Sequence, residues 1–372
     1  MKVLVVAPGI CTPYSEGRKR FVLDLIQTLS GQNEVLLLTT TVKGESTKLK
    51  TRFHTRVLGH GVFHLLYLII RLPFTIKEFK PDIICVFPYG TFRNLYGVAS
   101  KLFMRCVDKI ASIFSVFCLT VVYSLDEYGR HQQLRKIVSN LTLSQRPDWD
   151  GMVVNLGVNT AHWPEKKSNI DVDSSHKTLL FMAGMWEQTT DRVDHVIAVR
   201  GLGVLLEAGE SLSSAGIRLI VAAPLFSSEL CREYVRQHAK NTWPESNLEF
   251  REFVSVPEIY WDADLFVFPY TKEINHFVPT SVVEAMLAGV PVALSDKSFL
   301  DPLAGNEDRV VRINAFDHES LSNVLVDTLN NPDLLRRLSG SAACYARESW
   351  SIEASAEQIQ QLYERRNNTV NR

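Results

Sequence analysis

Residues 277–296 place one carboxylate, Glu284, inside an otherwise apolar helical segment. The segment reads as a loop, a short helix, a glycine and an apolar strand. Val, Ala, Met and Leu side chains around Glu284 leave almost no polar face, so the helix is expected to be buried. Free N–H groups at a helix N-terminus bind anions, and a nearby carboxylate accepts hydrogen bonds from hydroxyl groups. The pattern therefore suits a ligand that carries both a phosphate and a diol.

The polar residues before Glu284 define the expected start of this helix. Ser281 is predicted as the N-cap, and Thr280 lies directly before it. Glu284 stands three residues after Ser281, which also fits a capping box in which the carboxylate serves only the helix. Gly289 is predicted to take the left-handed position after the helix, with a strand at 290–294. Both roles of Glu284, ligand binding and capping, stay open at this point.

The segment around Glu284 resembles the donor-binding signature of retaining glycosyltransferases of the GT-B fold, in particular the large family four. The resemblance implies an α/β protein with two Rossmann-like, doubly wound parallel-sheet domains facing a cleft. It implies that Thr280, Ser281 and Glu284 bind a nucleotide-sugar donor. Family members carry another glutamate eight residues earlier, where this chain has His276. His276 is therefore a catalytic candidate, and an ordinary loop histidine is the alternative.

The first half of the chain departs from the family at several positions. Residues 121–127 resemble a strand that ends in His-Asp in the family, and Asp126 takes the place of the histidine. Asp126 is a catalytic candidate, although it can instead cap a turn. Gly17 matches one of two family glycines near the donor phosphates, so the resemblance implies that it binds the donor, with an ordinary loop glycine as the alternative. Arg18 and Lys19 are candidate acceptor-binding residues, with a solvated helix face as the alternative.

Two further donor-binding residues are predicted in the second half. Gly184 follows an apolar strand, and Met185 replaces the cation that usually comes next in the family. Arg200-Gly201 occupies the position of the family's Lys-Gly pair, and the guanidinium fork suits phosphate oxygens. A surface salt bridge is the alternative for Arg200. The carboxylate pair Asp171 and Asp173 lies in a polar linker, so it does not suggest a metal site. No metal ion and no cofactor are expected.

Strand and helix signals alternate along all 372 residues, which predicts parallel sheets covered by helices. The expected domains are 1–165, joined by a returning C-terminal helix at 350–372, and 166–349. A helix is predicted at 202–212 and a strand at 151–156. With 46% hydrophobic and 22% charged residues, the composition is that of a globular protein. The six cysteines show no paired spacing, so a reducing, cytoplasmic location is expected.

The net charge of −1 conceals a strong asymmetry. Residues 1–150 hold 20 Lys and Arg against 11 Asp and Glu, a net +9, whereas the remainder holds 20 against 30, a net −10. A basic half suits an anionic membrane or a phosphorylated substrate, with a merely solvated surface as the alternative. No nucleic-acid motif accompanies the charge. Apolar, cation-bearing segments at 63–80 and 101–113 predict peripheral docking at the inner face of a membrane, with a lipid-linked acceptor.

The function expected from the resemblance is metal-independent transfer of a sugar from a nucleotide diphosphate to a hydroxyl acceptor, with retention. Polysaccharide, glycolipid or other glycoconjugate synthesis is the expected setting. Two alternatives stay open because of the departures at 16, 126, 185 and 276. One is a catalytically weakened sugar-nucleotide-binding protein, and the other is a GT-B sugar-nucleotide epimerase or hydrolase.

Overall fold

The computed structural model describes most of the chain, and the two units into which the chain divides are treated separately below. Unit 1 contains Met1–Asn159 and Ser349–Arg372, and unit 2 contains Thr160–Ile274 and Val278–Glu348. The described residues are 1–10, 17–41, 54–60, 64–87, 96–122, 136–138, 152–153, 155, 157–164, 177–184, 187–252, 257–273, 278–305 and 308–370.

Unit 1 is built on a seven-stranded parallel sheet with the strand order β3-β2-β1-β4-β5-β6-β7. The order reverses between β1 and β4, as in doubly wound sheets. The strands are β1 Lys2–Ala7, β2 Glu34–Thr41, β3 His54–His60, β4 Ile83–Val86, β5 Phe117–Val122, β6 Lys136–Val138 and β7 Met152–Val153.

Helices cover both faces of this sheet. One face packs against α1 (Gly17–Leu29) and the returning C-terminal helix α13 (Ile352–Val370). The other packs against α2 (His64–Phe79) and α3 (Tyr96–Ile113), which lie side by side. The near-continuous apolar sequence of β1 follows from this arrangement, because both of its faces are buried.

Unit 2 repeats the scheme with a six-stranded parallel sheet in the order β10-β9-β8-β11-β12-β13. Its strands are β8 Lys177–Met182, β9 Ile217–Ala222, β10 Leu248–Arg251, β11 Leu265–Phe268, β12 Val292–Ser295 and β13 Val311–Ile313. Its helices are α4 Thr190–Ala198, α5 Leu202–Glu207, α6 Gly209–Ser214, α7 Glu229–Ala239, α8 Glu258–Trp261, α9 Thr280–Leu287, α10 Asp301–Ala304, α11 His318–Leu329 and α12 Pro332–Ser349. Short 3₁₀ turns lie at Thr160–His162, Pro224–Ser227, Glu245–Asn247 and Ser298–Leu300.

The fold class expected from the sequence is confirmed, and one helix prediction is wrong. The helix predicted at 202–212 is two helices, α5 and α6, which meet at Ala208. Trp243 donates its indole N–H to the carbonyl of Leu205 at 3.0 Å, and its ring fills the space where a side chain at Gly209 would lie. That carbonyl therefore bonds an indole where a continuous helix would use the N–H of residue 209. Of the strand predicted at 151–156, Met152–Val153 form β7 and Asn155 lies outside it, while residues 151, 154 and 156 lie outside the described residues.

The chain returns to unit 1 through buried backbone contacts before α13. Val158 pairs with Ser351 as an isolated parallel bridge, in which the N–H of Val158 donates to the carbonyl of Trp350 at 2.8 Å. Ser355 is 1% exposed; its hydroxyl donates to the carbonyl of Asn155 at 2.7 Å and accepts from the N–H of Gly157 at 3.0 Å. The Ser355 hydroxyl on α13 thus bonds two backbone groups, at residues 155 and 157, that are about 200 residues away in the sequence.

Replacing Ser355 by alanine tests how much this junction contributes to stability. Ser355→Ala leaves a buried N–H and a buried carbonyl without this partner, so the free energy of unfolding should fall by about 1–3 kcal/mol. Urea unfolding of the full chain measures the change. Ser213→Ala, at a solvent-exposed hydroxyl, is the control and should change stability by less than about 0.5 kcal/mol. Equal stability of both variants would contradict the assigned role of Ser355.

Candidate functional site

The six-stranded sheet of unit 2 reverses its strand order between β8 and β11. Ligands of open parallel sheets bind outside the carboxyl ends of the strands at such a point. Strand β8 ends at Met182 and leads to Gly184, and β11 ends at Phe268 and leads to Pro269 and Tyr270. The residues that follow these two strands are therefore the first place to look for a site.

Gly184 lies in open space at the carboxyl end of β8. A Cβ atom built on it meets no atom within 4 Å, and the residue is exposed. Packing within the described residues therefore gives no reason for a glycine at this position. The donor-binding role predicted for Gly184 stays a prediction, and the space beside its backbone is available to a ligand.

The turn that carries Arg200 is fixed against the end of β11 by backbone contacts. Thr271 donates its hydroxyl to the carbonyl of Ala198 at 2.6 Å and its N–H to the carbonyl of Val199 at 3.2 Å. Gly201 has φ of 81°, and a Cβ atom there would lie 1.7 Å from the carbonyl oxygen of Pro269. Only glycine combines this conformation with so close an approach, so Gly201 sets the position of Arg200.

Arg200 is a partly buried cation with an unfilled hydrogen-bonding group. Its guanidinium carbon lies 4.9 Å from the ring centroid of Tyr270. Its Nε is buried and has no hydrogen-bond partner among the residues that the structure describes. Burial lowers the pKa of Arg200 to about 10, so the side chain stays charged at neutral pH but at a cost in desolvation. An anion that accepts from this guanidinium would remove that cost, and no salt bridge to Arg200 is present within the described part of the chain.

The predicted N-cap of the helix that carries Glu284 is wrong. Helix α9 begins at Thr280, its N-cap is Pro279, and no side chain bonds the cap. Ser281 is therefore the second helical residue, and Glu284 the fifth, so the spacing of a capping box is not used. Gly289 follows the helix with φ of 74°, which confirms the expected left-handed position. Within the described residues, no side chain caps the first-turn N–H groups of α9, and this arrangement suits an anion.

Glu284 is held by a tyrosine that sequence reasoning did not identify. Tyr260, in α8, is fully buried and donates its hydroxyl to Oε2 of Glu284 at 2.8 Å. The same hydroxyl lies 3.3 Å from the carbonyl oxygen of Ser281. Burial, and then the neighbouring Glu284 carboxylate, raise the pKa of Tyr260 well above its usual range. Tyr260 thus remains a protonated donor that orients a half-buried carboxylate.

A row of aromatic rings joins the surroundings of Glu284 and Arg200. Tyr260 lies 5.9 Å from Phe266, Phe266 lies 6.3 Å from Phe268, and Phe268 stacks on Tyr270 at 4.4 Å between centroids. Residues 266, 268 and 270 alternate along β11 and beyond, so their side chains share one face of the sheet. The carboxylate and the guanidinium are therefore supported by one packed layer of unit 2.

This geometry agrees with the match between unit 2 and a known protein family. Residues 177–331 match the family model described as glycosyl transferases group 1. Solved structures with the same fold along the whole chain include a glycosyltransferase from Rickettsia africae, with a TM-score of 0.74 and 13% sequence identity over 98% of both chains. The chain has the GT-B fold, and its residues 177–331 match the group 1 glycosyl transferases.

Two further solved structures share the fold along nearly the whole chain. Sucrose-phosphate synthase from Thermosynechococcus elongatus has a TM-score of 0.73 at 15% identity, covering 99% of this chain and 100% of that one. HepE from Anabaena, solved in complex with UDP, has a TM-score of 0.72 at 13% identity, covering 98% and 100%. A search of curated protein sequences returns no match. At such low identities the structural likeness establishes the fold.

The remaining site predictions concern Gly17, Arg18, Lys19, Asp126 and His276. Gly17 is the first residue of α1. Lys19 is only 6% exposed, so the alternative of a solvated charge run fails for that side chain. Arg18 belongs to the same helix turn, and its acceptor-binding role stays a prediction, as does that of Lys19. Asp126 and His276 lie outside the described residues.

A metal site is not evident in the part of the chain that the structure describes. These residues contain no group of three or more His, Cys, Asp or Glu side chains able to hold a metal ion. Arg192, on α4, forms an ion pair with Glu187. Arg200 is therefore the cation best placed for an anion at the switch point of unit 2.

Replacing Gly201 by alanine tests the backbone contact that positions Arg200. Gly201→Ala requires a side chain at positive φ and against a carbonyl oxygen, so the free energy of unfolding should fall by at least about 1–3 kcal/mol. Gly184→Ala is the matched control, because its added methyl group meets nothing, and it should leave stability nearly unchanged. Thermal unfolding of both variants measures the difference. A Gly201→Ala protein as stable as the control would show that the turn is not held as described.

Proposed function

We propose that this chain transfers a sugar from a nucleotide diphosphate sugar, with UDP-sugars as the first candidates, to a hydroxyl acceptor, with retention and without a metal ion. The match of residues 177–331 to group 1 glycosyltransferases supports sugar transfer. HepE, which shares the fold, has been solved with UDP and with UDP-glucose, and this supports a uridine nucleotide as the donor. Polysaccharide, glycolipid or other glycoconjugate synthesis is the proposed setting, in the cytoplasm.

The observation that carries the proposal is the buried, unpaired Nε of Arg200 at the switch point of unit 2. A desolvated guanidinium with an unused donor binds phosphate oxygens strongly, because the hydrogen bonds are charge-assisted. Gly184 leaves open space at the neighbouring strand end, and the uncapped first turn of α9 adds N–H groups from Thr280 and Ser281. These groups are proposed to hold the diphosphate, and Gly17 is also proposed to bind the donor.

Glu284 is proposed to accept hydrogen bonds from the ribose diol. A carboxylate is an acceptor only, so it favours a ligand with two adjacent hydroxyl donors. The hydroxyl of Tyr260 donates to one oxygen of the Glu284 carboxylate and so orients it before a ligand binds. This reduces the side-chain entropy that is lost on binding. Tyr260 therefore acts as a positioning residue through Glu284.

The proposed reaction breaks the bond between the anomeric carbon and the diphosphate and forms a bond from that carbon to the acceptor oxygen. Negative charge develops on the departing phosphate, where Arg200 and the positive end of the α9 dipole stabilise it. The departing phosphate takes the acceptor proton, so the chemistry does not require a side-chain base. Asp126 and His276 are proposed to contact the transferred sugar, and Arg18 and Lys19 the acceptor.

Two substitutions test the donor site and separate its parts. Arg200→Met removes the charge, so UDP affinity should fall by about 1.5–3 kcal/mol while uridine affinity is unchanged. Glu284→Gln should weaken the binding of both UDP and uridine, each by about 1.5–3 kcal/mol. It should also lose the preference for UDP over 2′-deoxy-UDP. Titration calorimetry of the full chain measures each affinity, and thermal unfolding confirms that both variants are folded.

Arg236→Met is the matched control for Arg200→Met, because Arg236 also lies over an aromatic ring but is paired with Glu229. Its UDP affinity should equal that of the unaltered chain. Unchanged UDP affinity in both the Arg200 and Glu284 variants would refute the donor site. UDP binding without turnover of any UDP-sugar would favour the weakened binding protein. Release of free sugar or an epimer without an acceptor would favour the epimerase or hydrolase.

Metal independence is tested by transfer in the presence of a chelator. With Arg200 and the α9 N-terminus neutralising the diphosphate, UDP-sugar turnover should continue in excess EDTA. Turnover is followed as UDP release, with a buffer-only sample as the control. Loss of turnover in EDTA that returns on addition of Mg²⁺ or Mn²⁺ would show that the proposed site is wrong.

A further inference from the structure

The outward side of α2 is apolar although it faces solvent. Its buried stripe, which includes Leu68 and Leu72, packs on the sheet of unit 1. On the opposite side, large apolar side chains are strongly exposed and a lysine follows one turn later. These outward residues are Leu66 at 53%, Ile70 at 53%, Phe74 at 61% and the exposed Lys77. Exposed apolar side chains gathered on one helix face mark an interaction surface more often than scattered ones do.

The outward side of α3 carries cations between two exposed apolar residues. Leu102 is 61% exposed and Ile113 is 70% exposed, at the two ends of the helix. Arg105 and Lys109 lie between them, one turn apart, and both are exposed. Such a mixture of cations and apolar side chains is typical of helices that rest on an anionic lipid surface.

Both helices present these residues on the same side of unit 1. Buried residues of α2 and of α3 belong to one hydrophobic cluster with the same sheet face, and the two helices contact each other. Their outward sides therefore form one continuous surface. Eight of its exposed residues define what we call the α2–α3 face: Leu66, Ile70, Phe74 and Lys77 of α2, and Leu102, Arg105, Lys109 and Ile113 of α3.

Charge decides between the occupants that an apolar face can accept. The two helices contain five Lys and Arg against two Asp and Glu, and residues 1–150 carry a net +9. A second copy of the chain packed on the same face would bring the cations Lys77, Arg105 and Lys109 near the same cations of the other copy, which is unfavourable. An anionic bilayer offers charge of the opposite sign together with an apolar interior for Ile70 and Phe74.

We propose that the α2–α3 face docks this glycosyltransferase on an anionic phospholipid bilayer. Apolar side chains of α2 enter the boundary between headgroups and acyl chains, and the cations of α3 remain among the phosphates. Among the described helices, none is long and apolar enough to cross a membrane. Docking of this kind gives access to an acceptor hydroxyl on a lipid or lipid-linked sugar, a step that rests on the proposed function.

Vesicle co-sedimentation of the full chain tests the docking. Binding should require phosphatidylglycerol mixed into phosphatidylcholine and should weaken as salt is added, since the charges are screened. Lys77→Gln, Arg105→Gln and Lys109→Gln should each lower the partition constant about fivefold, and on the order of a hundredfold together. Ile70→Ser with Phe74→Ser should lower it at low and high salt alike, because that loss is apolar.

Controls on unit 2 separate docking from general effects. Lys240→Gln with Arg337→Gln removes two exposed cations from unit 2 and is the control for the α2–α3 charge variants. Leu230→Ser removes an apolar side chain that is 65% exposed and is the control for the Ile70 and Phe74 variant. These controls should bind vesicles as the unaltered chain does. Equal recovery with neutral and anionic vesicles, or unaltered binding of the α2–α3 variants, would overturn the proposal. So would a dimer in light scattering that Phe74→Ser converts to a monomer.

The same variants keep this test separate from that of the donor site. None of the α2–α3 substitutions lies in unit 2, so UDP affinity should be unchanged in all of them. Normal UDP binding with no vesicle binding would refute docking and leave the donor site intact. Vesicle binding by a chain that fails to bind UDP would support docking and refute the donor site.

Discussion

The contact between Gly201 and the carbonyl of Pro269 is the constraint on which the candidate site depends. It brings the turn after α4 onto the end of β11, so that Arg200 lies over Tyr270 rather than in solvent. A larger residue at 201 would separate the turn from the strand. The guanidinium then owes its burial, its lowered pKa of about 10 and its unused Nε to one backbone approach.

The aromatic layer on β11 supports two oppositely charged side chains, Glu284 and Arg200, within unit 2. Glu284 is reached through Tyr260, and Arg200 lies over Tyr270. Phe266, Phe268 and Tyr270 occupy one side of the strand, while Leu265 and Val267 pack into the cluster on the other side. One face of the strand therefore supports the site and the other completes the core. The two tasks are separated by the strand's alternation alone.

The sequence was sufficient for the fold and for the segment around Glu284, and insufficient for what holds that segment. Apolar periodicity and Gly289 predict a buried helix and its end, because these are local signals. The N-cap at Pro279 is not predicted from sequence, because Ser281 has a side chain that can cap the helix and proline has none. Tyr260 was missed because its partner is 24 residues away and burial alone does not name a partner. The break at Ala208 is not predicted for the same reason. Trp243, which bonds the carbonyl of Leu205, lies 38 residues away in the sequence.

The return of the chain into unit 1 has a consequence for the order of events during synthesis. Ile352, Ala356 and Ile359 of α13 belong to the hydrophobic core that α1 and β1 form. The contiguous stretch that builds unit 2 leaves the ribosome before these residues do, so unit 2 can complete its core while unit 1 still lacks part of its own. Domains generally fold as units in the order of their emergence. In this chain the part translated first is the part that finishes folding last.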